Sequence, residues 1–414
     1  MSIDKSLGEI CEFKNSKRKP ITASDRKAGP YPYYGAASIQ DYVNDYLFDG
    51  LHVLVGEDGS VQTPAGRPMI QLVDKKFWVN NHAHILKCED DLDTRYLAYA
   101  LHEVWIVPFV TGAVQPKVNM GNLKRVLIKW PDKKIRNHIA KIGRSFDERI
   151  TLLRETNVTL EAIVQALFKS WFMDFDPVRA KSEGKLPEGM DEATAALFPD
   201  SFEQSELGKI PKGWKIQSLN DIANYLNGLA LQKFPPTGKD DLPVIKIAQL
   251  RKDNTIGADM AFNGIKEEYI IKDGDILFSW SGSLEVAIWC GGIGALNQHL
   301  FKVSSDYYQK WFYYLWTKHH LEKFRQIAAS KATTMGHIQR HHLVEAKVII
   351  PNKNILNIAD KIFTPLLDKI ILNSIQIRNL SNIRDILLPR LISGQITLPE
   401  VKEEINSQTK VNVQ

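Results

Sequence analysis

The stretch IRNHIAKIGRSFDERITLLRETNVTLEAIVQALFKSWF, residues 135–172, decides the fold. Its apolar residues fall at Ile135, Ile139, Ile142, Phe146, Ile150, Leu153, Leu160, Ile163, Leu167 and Trp171. Steps of three, four and seven put them on one stripe of a helix. One polar residue, Asn157, interrupts the seam. At 1.5 Å per residue such a helix is about 55 Å long. It is too long and too one-sided to fold alone, so it requires a partner helix.

The partner is in the same chain. After Pro351 the pattern returns at Ile358, Ile362, Leu366, Ile370, Ile377, Leu380 and Leu387, with Asn373 interrupting it as Asn157 interrupts the first. Pro365 inside this stretch predicts a kink or break, and Pro389 predicts its end. Two such stripes predict an intramolecular antiparallel coiled coil; the plainer alternative is two unrelated core helices. More than the helix recurs. Asn80, His82 and Tyr96 return as Asn297, His299 and Tyr313, each 217 positions on. Leu123, Pro131, Leu160 and Leu167 return as Leu343, Pro351, Leu380 and Leu387, each 220 positions on. A repeat this long is a copy of a whole module rather than a solenoid unit.

Residues 1–133 read as a mixed module with short strands, and 134–174 as the first long helix. Within the module, Leu51–Val55 reads as a strand closed by Gly56-Glu57-Asp58-Gly59, and Asp93–Val104 as a short helix. Residues 175–213, rich in Pro, Gly and charge, read as a linker with no core of their own and one short helix at Asp191–Leu197. The second module covers 214–351 and opens with Leu219-Asn220-Asp221-Ile222, an echo of Leu7-Gly8-Glu9-Ile10. The second helix covers 352–396, and 397–414 reads as a frayed tail.

Composition sets outer limits. The 414 residues, 44% apolar and 24% charged, describe two or three ordinary globular domains. Three scattered cysteines, Cys11, Cys88 and Cys290, exclude a disulfide framework and a Cys-based zinc site and fit a reducing compartment. There is no apolar signal core and no run near the roughly 18 apolar residues of a membrane span. The expectation is a cytoplasmic protein without a membrane. A net charge of +5 tilts it toward an anionic partner.

No catalytic engine is legible. There is no G-x-x-x-x-G-K-[ST] loop, no G-x-G-x-x-G opening a helix, and no Asn/Asp-Pro-Pro-Tyr/Phe element. His82 and His84 alternate on a predicted strand but lack a third metal ligand. His337 and His341 have helical spacing beside Arg340 and His342, which reads better as a polar surface turn than as a chelate. Asp174 or Asp176 followed by Glu183-Gly184-Lys185 loosely matches a metal-dependent nuclease string, but it falls in the linker.

What is legible is surface for an anion. The first module offers Lys14, Lys17, Arg18 and Lys19 near its start, Arg67 in a turn, then Gln115, Lys117, Asn119 and Lys124. The second offers Lys233, Lys246, Arg251 and Lys252, then Lys331, Thr333, Thr334, His337, Gln339 and Arg340. Lys and Arg hold phosphates and set register; Gln, Asn, Thr and Arg on loops read base edges.

The sequence resembles the specificity subunits of type I restriction–modification systems over nearly its whole length. The resemblance rests on Leu7-Gly8-Glu9-Ile10, on Val79-Asn80-Asn81-His82 with Leu296-Asn297-Gln298-His299, and on the segments before Pro131 and Pro351. The helix ends, Leu167–Phe175 and Leu387–Gly394, and the segment Glu206–Trp214 also carry it. It implies an α+β fold of two globular target-recognition domains in pseudo-twofold arrangement, joined by two long helices forming an antiparallel coiled coil. It implies that each domain reads half of a bipartite site in double-stranded DNA, and that the helices set the gap and dock two adenine methyltransferase subunits. Two motor/nuclease subunits join for cleavage. The subunit itself is then no enzyme and holds no cofactor; S-adenosylmethionine, ATP and magnesium belong to its partners. Residues 12–45 share almost nothing with 224–265, so the two half-sites are expected to differ. Two other readings stand beside this one: a stand-alone nuclease, which needs converging carboxylates or histidines, and a coiled-coil protein scaffold, which has no need of basic loops in both modules.

Overall fold

The computed structural model describes residues 3–112, 114–330 and 336–397. The chain divides into two compact units. Unit 1 takes residues up to Ile150 together with those from Leu380 on; unit 2 is Thr151–Asn379. The divisions fall inside the two long helices, Lys133–Phe172 and Lys353–Ser393, so each helix contributes to both units.

Each unit is built on the same frame. In unit 1 the strand Ile3–Ser6 pairs antiparallel with Leu127–Trp130; in unit 2 Lys215–Ser218 pairs with Lys347–Ile350 in the same register, first residue to last. A single helical turn follows the first strand of each pair, Leu7–Ile10 and Leu219–Ile222. An acid seals it both times. Glu9 accepts from Ser6 N–H and O–H (2.7 and 2.6 Å), and Asp221 from the same groups of Ser218 (2.8 and 2.6 Å). That contact is why Leu-Gly-Glu-Ile and Leu-Asn-Asp-Ile echo each other.

The four-stranded sheets also match. Unit 1 orders its strands Glu12–Phe13, Ala83–Lys87, Leu51–Gly56, Ile70–Asp74. Unit 2 orders Asn224–Asn227, Leu300–Ser304, Ile276–Ser279, Glu285–Ile288. A smaller sheet in each unit carries a parallel pair, Tyr33↔Trp78 and Tyr34↔Val79, then Val244↔Ala295 and Ile245↔Leu296, whose second strand returns at the 217-residue offset. The dissimilar segments fill corresponding places differently. Unit 1 makes the hairpin Ala28–Tyr34/Ile39–Val43, whereas unit 2 inserts the helix Ile247–Lys252 between Leu242–Ile245 and Met260–Ala261.

Inside each unit the two long helices run antiparallel. In unit 2 Trp171 and Phe172 meet Phe363 (6.3 and 6.1 Å between ring centres). In the same unit Asn157 donates to Ser374 Oγ (3.0 Å) and the Ile370 carbonyl (3.2 Å) and accepts from Asn373 (2.9 Å). The two polar interruptions of the apolar stripes are therefore partners. Such a pair fixes register at a cost in stability. In unit 1 Arg384 donates to Asp147 (2.8 Å), and Ile139 shares a core with Leu387, Leu388, Leu391 and Ile392.

Three expectations are corrected. The helix does not break at Pro365; it runs on through it, with Phe363 and Leu367 on either side fully buried. It also continues past Pro389, where the four buried leucine and isoleucine side chains just named outweigh the roughly 3 kcal/mol cost of an internal proline. It stops instead at Gly394 (φ 77°), where Gln395 N–H bonds Arg390 O and Gly394 N–H bonds Leu391 O, a Schellman close. Residues 175–213 are not a bare linker. Besides the expected short helix, which spans Glu192–Leu197 with Asp191 as its cap, they form the helix Asp176–Ser182 and the hairpin Phe202–Ser205/Gly208–Pro211. Phe175, Val178, Phe198, Ile210 and, just beyond, Trp214 enter the core of unit 2. Of the tail 397–414, all but Thr397 lies outside the described residues.

One buried and one half-buried histidine make stability depend on acid. His84 is fully buried; its Nε2–H donates to Val118 O (2.7 Å) and its Nδ1 accepts from Asn15 (2.7 Å). Burial holds it below the usual imidazole range. In unit 2 burial pushes His320 down to about 4, and its Nε2–H donates to Lys347 O (2.8 Å). The unfolded chain takes up these protons near pH 6.5 and the folded chain only at lower pH. Their contribution is thus complete above about pH 6.5 and is lost as pH falls below it, for His320 as pH approaches 4 and on the order of 3 kcal/mol. Melting temperature is expected to drop over that window, and the drop is expected to be shallower for His320→Gln. Parallel curves for the two proteins would count against it.

Candidate nucleic-acid interface

In each unit one loop leaves the central sheet and is fastened in the same way. It is Glu57-Asp58-Gly59-Ser60 in unit 1 and Trp280-Ser281-Gly282-Ser283 in unit 2. Glu57 N–H bonds His82 O (2.8 Å), and Trp280 N–H bonds His299 O (3.3 Å). Gly59 N–H bonds Pro116 O (3.0 Å), and Gly282 N–H bonds Gly336 O (2.8 Å). Val118 N–H returns to Glu57 O (2.8 Å), and Ile338 N–H to Trp280 O (3.0 Å). Both glycines have positive φ, 72° and 67°, which other residues rarely adopt. The recurrent Asn-x-His motif supplies the third side. Asn80 Oδ1 accepts from His82 N–H (2.8 Å) and Asn297 Oδ1 from His299 N–H (3.1 Å).

The backbone is common, but the side chains are not. In unit 1 the edge is charged. Arg18 pairs with Glu57 and donates to Asn81 O (3.1 Å) and Ala83 O (3.0 Å); Lys117 lies 3.7 Å from Glu57; His82 Nδ1 meets Asp58. In unit 2 the edge is aromatic and largely uncharged. Trp280 Nε1–H donates to Asn227 Oδ1 (2.9 Å), and its ring lies 6.0 Å from His299 and 6.3 Å from His337. His299 meets Ser281 Oγ (3.0 Å) and Gln298 Nε2 (3.3 Å). Arg340 donates to Tyr225 O (3.3 Å) and lies over Phe301 (5.8 Å).

The structure sorts the candidate residues. Lys17 and Lys19 are exposed beside Arg18, and Gln115 and Lys117 are exposed on the segment that faces the loop. His337, Gln339 and Arg340 hold the matching place in unit 2. Arg18 is spent inward, as is Arg67, whose guanidinium donates to Glu103 O. Lys14 pairs with Glu12 (3.3 Å), Lys124 lies over the Phe13 ring (5.4 Å), and Asn119 caps the helix Met120–Lys124 through Asn122 N–H (2.8 Å). Lys233 and Lys252 are exposed, and Lys246 pairs with Asp259. Arg251 lines a cavity of about 300 Å³ with Glu161 and Ser374 of the long helices, a different place from the Trp280 loop. Lys331, Thr333 and Thr334 lie outside the described residues.

Asp58, Trp280, Ser281 and Gln298 are not among the candidates, and His82 and His299 stand in the sequence as markers of the repeat and of the family resemblance, His82 also in a zinc reading. The shared Gly-Ser after each apolar strand, read with the shared Asn-x-His, was the available signal. The zinc idea for His82 and His84 fails because His84 spends both ring nitrogens on protein. His341, His342 and Glu345 bring ligand atoms within 4.8 Å of one another, without His337. His342 Nδ1 accepts Gln339 N–H (2.9 Å), so its other nitrogen carries the proton and is a poor ligand. In the nuclease-like string, Glu183 pairs with Lys185 (2.8 Å) and Asp174 with Lys169, so these carboxylates face lysines rather than one another.

Residues 4–162 and 211–381 match the family described as "Type I restriction modification DNA specificity domain". The chain is 27% identical over 328 residues to the type I restriction enzyme HindI specificity subunit of Haemophilus influenzae, covering 68% of this chain and 71% of that one. It is 27% identical over 299 residues to the type I restriction enzyme MjaIX specificity subunit of Methanocaldococcus jannaschii, covering 70% and 65%. The crystal structure of a type I restriction–modification S subunit from M. genitalium shares the fold, with a TM-score of 0.56, 17% identity, and 94% and 96% coverage.

Proposed function

From the premise that the chain belongs to the type I restriction–modification DNA specificity family, we propose that it directs such a complex to a bipartite DNA site. Each unit reads one half-site, and the long helices set the gap and dock the methyltransferase. The observation that carries this reading is the doubled loop: one backbone scheme in both units, bearing charged side chains in one and aromatic and neutral ones in the other. A reader of two unlike half-sites requires that combination, because base edges are distinguished by side-chain donors and acceptors. The exposed Lys17, Lys19 and Lys117 supply phosphate contacts in unit 1, and Arg340 does so in unit 2.

The assembly proposed is one such chain with two methyltransferase and two motor/nuclease subunits, in the cytoplasm. Among the described residues no helix is long and apolar enough to cross a membrane. The subunit acts by binding alone; S-adenosylmethionine, ATP and magnesium serve the partner subunits.

The test is to co-express the chain with its neighbouring methyltransferase and map methylated adenines. Two short sequence blocks around a fixed gap are expected. No enriched motif, with both proteins folded and associated, would sink the reading. Phosphate contact has its own signature: Lys117→Ala is expected to weaken binding and to flatten the plot of log affinity against log salt by about one unit, and an unaltered slope rules that contact out.

A further inference from the structure

Resting on that reading, we infer that His82 and Gln298 are base-reading residues, one in each half-site. The two copies of the Asn-x-His motif begin with the same backbone and end with different free hydrogen-bonding groups.

In unit 1 the Asp58 carboxylate only accepts, so His82 Nδ1 carries the proton and donates to it. The ring nitrogen left over is Nε2, on a side chain 47% exposed. In the neutral ring that atom accepts a hydrogen bond. Its complement in the major groove is the exocyclic amino group of adenine or cytosine.

In unit 2 the partner is Ser281. The Gln298 amide donates to His299 Nε2 (3.3 Å), so Nδ1–H of the same ring donates to Ser281 Oγ (3.0 Å). Both nitrogens of His299 are satisfied by the protein, and the ring is half-buried. What remains is the Gln298 carbonyl oxygen and its second N–H. One acceptor and one donor on a side-chain amide match the N6 and N7 edge of adenine. The reading position has thus moved by one residue between the copies, and Asp58 against Ser281 is the cause. Lys117 and His337, bridged to these loops at corresponding places, flank the two readers.

The experiment uses the full chain with its methyltransferase and compares methylated-adenine maps for the native protein, His82→Ala and Gln298→Ala. Each variant is expected to lose on the order of tenfold discrimination at one position of one half-site, with the other half-site and the gap unchanged. Any variant too weak to methylate in cells is assayed by selection from a randomised duplex library, read by the same criterion. An unchanged motif in both variants overturns the inference. So does a uniform loss over all sites with the motif intact, which marks a phosphate contact. If the native protein yields no bipartite motif, the failure belongs to the proposed function and not to these two residues.

Discussion

Inserting four residues into each long helix, between Ile150 and Thr151 and between Asn379 and Leu380, is expected to lengthen the DNA gap by one base pair and to leave both half-sites unchanged. The positions lie where the chain divides into units, so Asp147–Arg384 in unit 1 and Asn157–Asn373 in unit 2 keep their partners. Four residues advance a helix by about 6 Å and turn it about 40° beyond a full turn. One base pair of duplex turns about 35° and rises about 3.4 Å. Twist is the better match, and twist decides which edge of the DNA a loop meets. A seven-residue insertion makes the opposite case. It preserves the heptad seam, advances about 10.5 Å and turns about −20°. Three base pairs would match that length but turn the duplex by roughly 105°. The seven-residue protein is therefore expected to fold and to methylate poorly at every gap. Methylation maps of both insertions decide it. A changed half-site sequence in the four-residue protein would show that the helices are part of the reading surface, and a fully active seven-residue protein would show that length, not twist, sets the gap.

The frame was legible because period and repetition survive in sequence. Ile139, Leu153 and Leu167 lie on the stripe whatever covers them, and the 217- and 220-residue offsets reappear as paired strands with matching register. Charges were a poorer guide. Arg18 and Arg67 read as phosphate contacts, yet their acceptors are Glu57 and the carbonyls of Asn81, Ala83 and Glu103, brought to them by the fold across long sequence separations. Nothing local distinguishes such an arginine from an exposed one. The 175–213 segment misled for a related reason. Phe175, Phe198 and Trp214 obey no helical or strand period, because each fills a gap in a core supplied by residues far away, among them Phe172, Trp171 and Phe202. Pro389 misled because a local rule was overridden by burial on both sides of it.

Arg136→Ala is expected to destabilise unit 1 by about 3–5 kcal/mol. Arg136 holds Asp93 through both carboxylate oxygens (2.8 and 3.0 Å), donates to Pro131 O (2.6 Å) and lies over the Trp130 ring (4.3 Å). Both partners are nearly buried, at 8% and 4% exposure. Truncating the arginine strands a carboxylate in the joint between the long helix and the helix Asp91–Leu101. Unit 2 makes its corresponding joint differently. There Trp311 Nε1–H donates to Asp360 of the second long helix (2.6 Å). Trp311→Phe removes one hydrogen bond and keeps most of the apolar contact, so it is expected to cost only about 1 kcal/mol, plus a smaller packing term. The frame was thus copied, while the bolts between frame and helix were replaced. The pairing Arg136→Met with Asp93→Leu tests the electrostatic account directly, since removing both charges together is expected to restore most of the stability that Arg136→Ala loses. For a unit of this size the single variant should melt roughly 10 °C below the native protein. A single variant that melts within a degree of it, or a double variant as unstable as the single, would mean that the ion pair is not what fastens the first long helix to its reader.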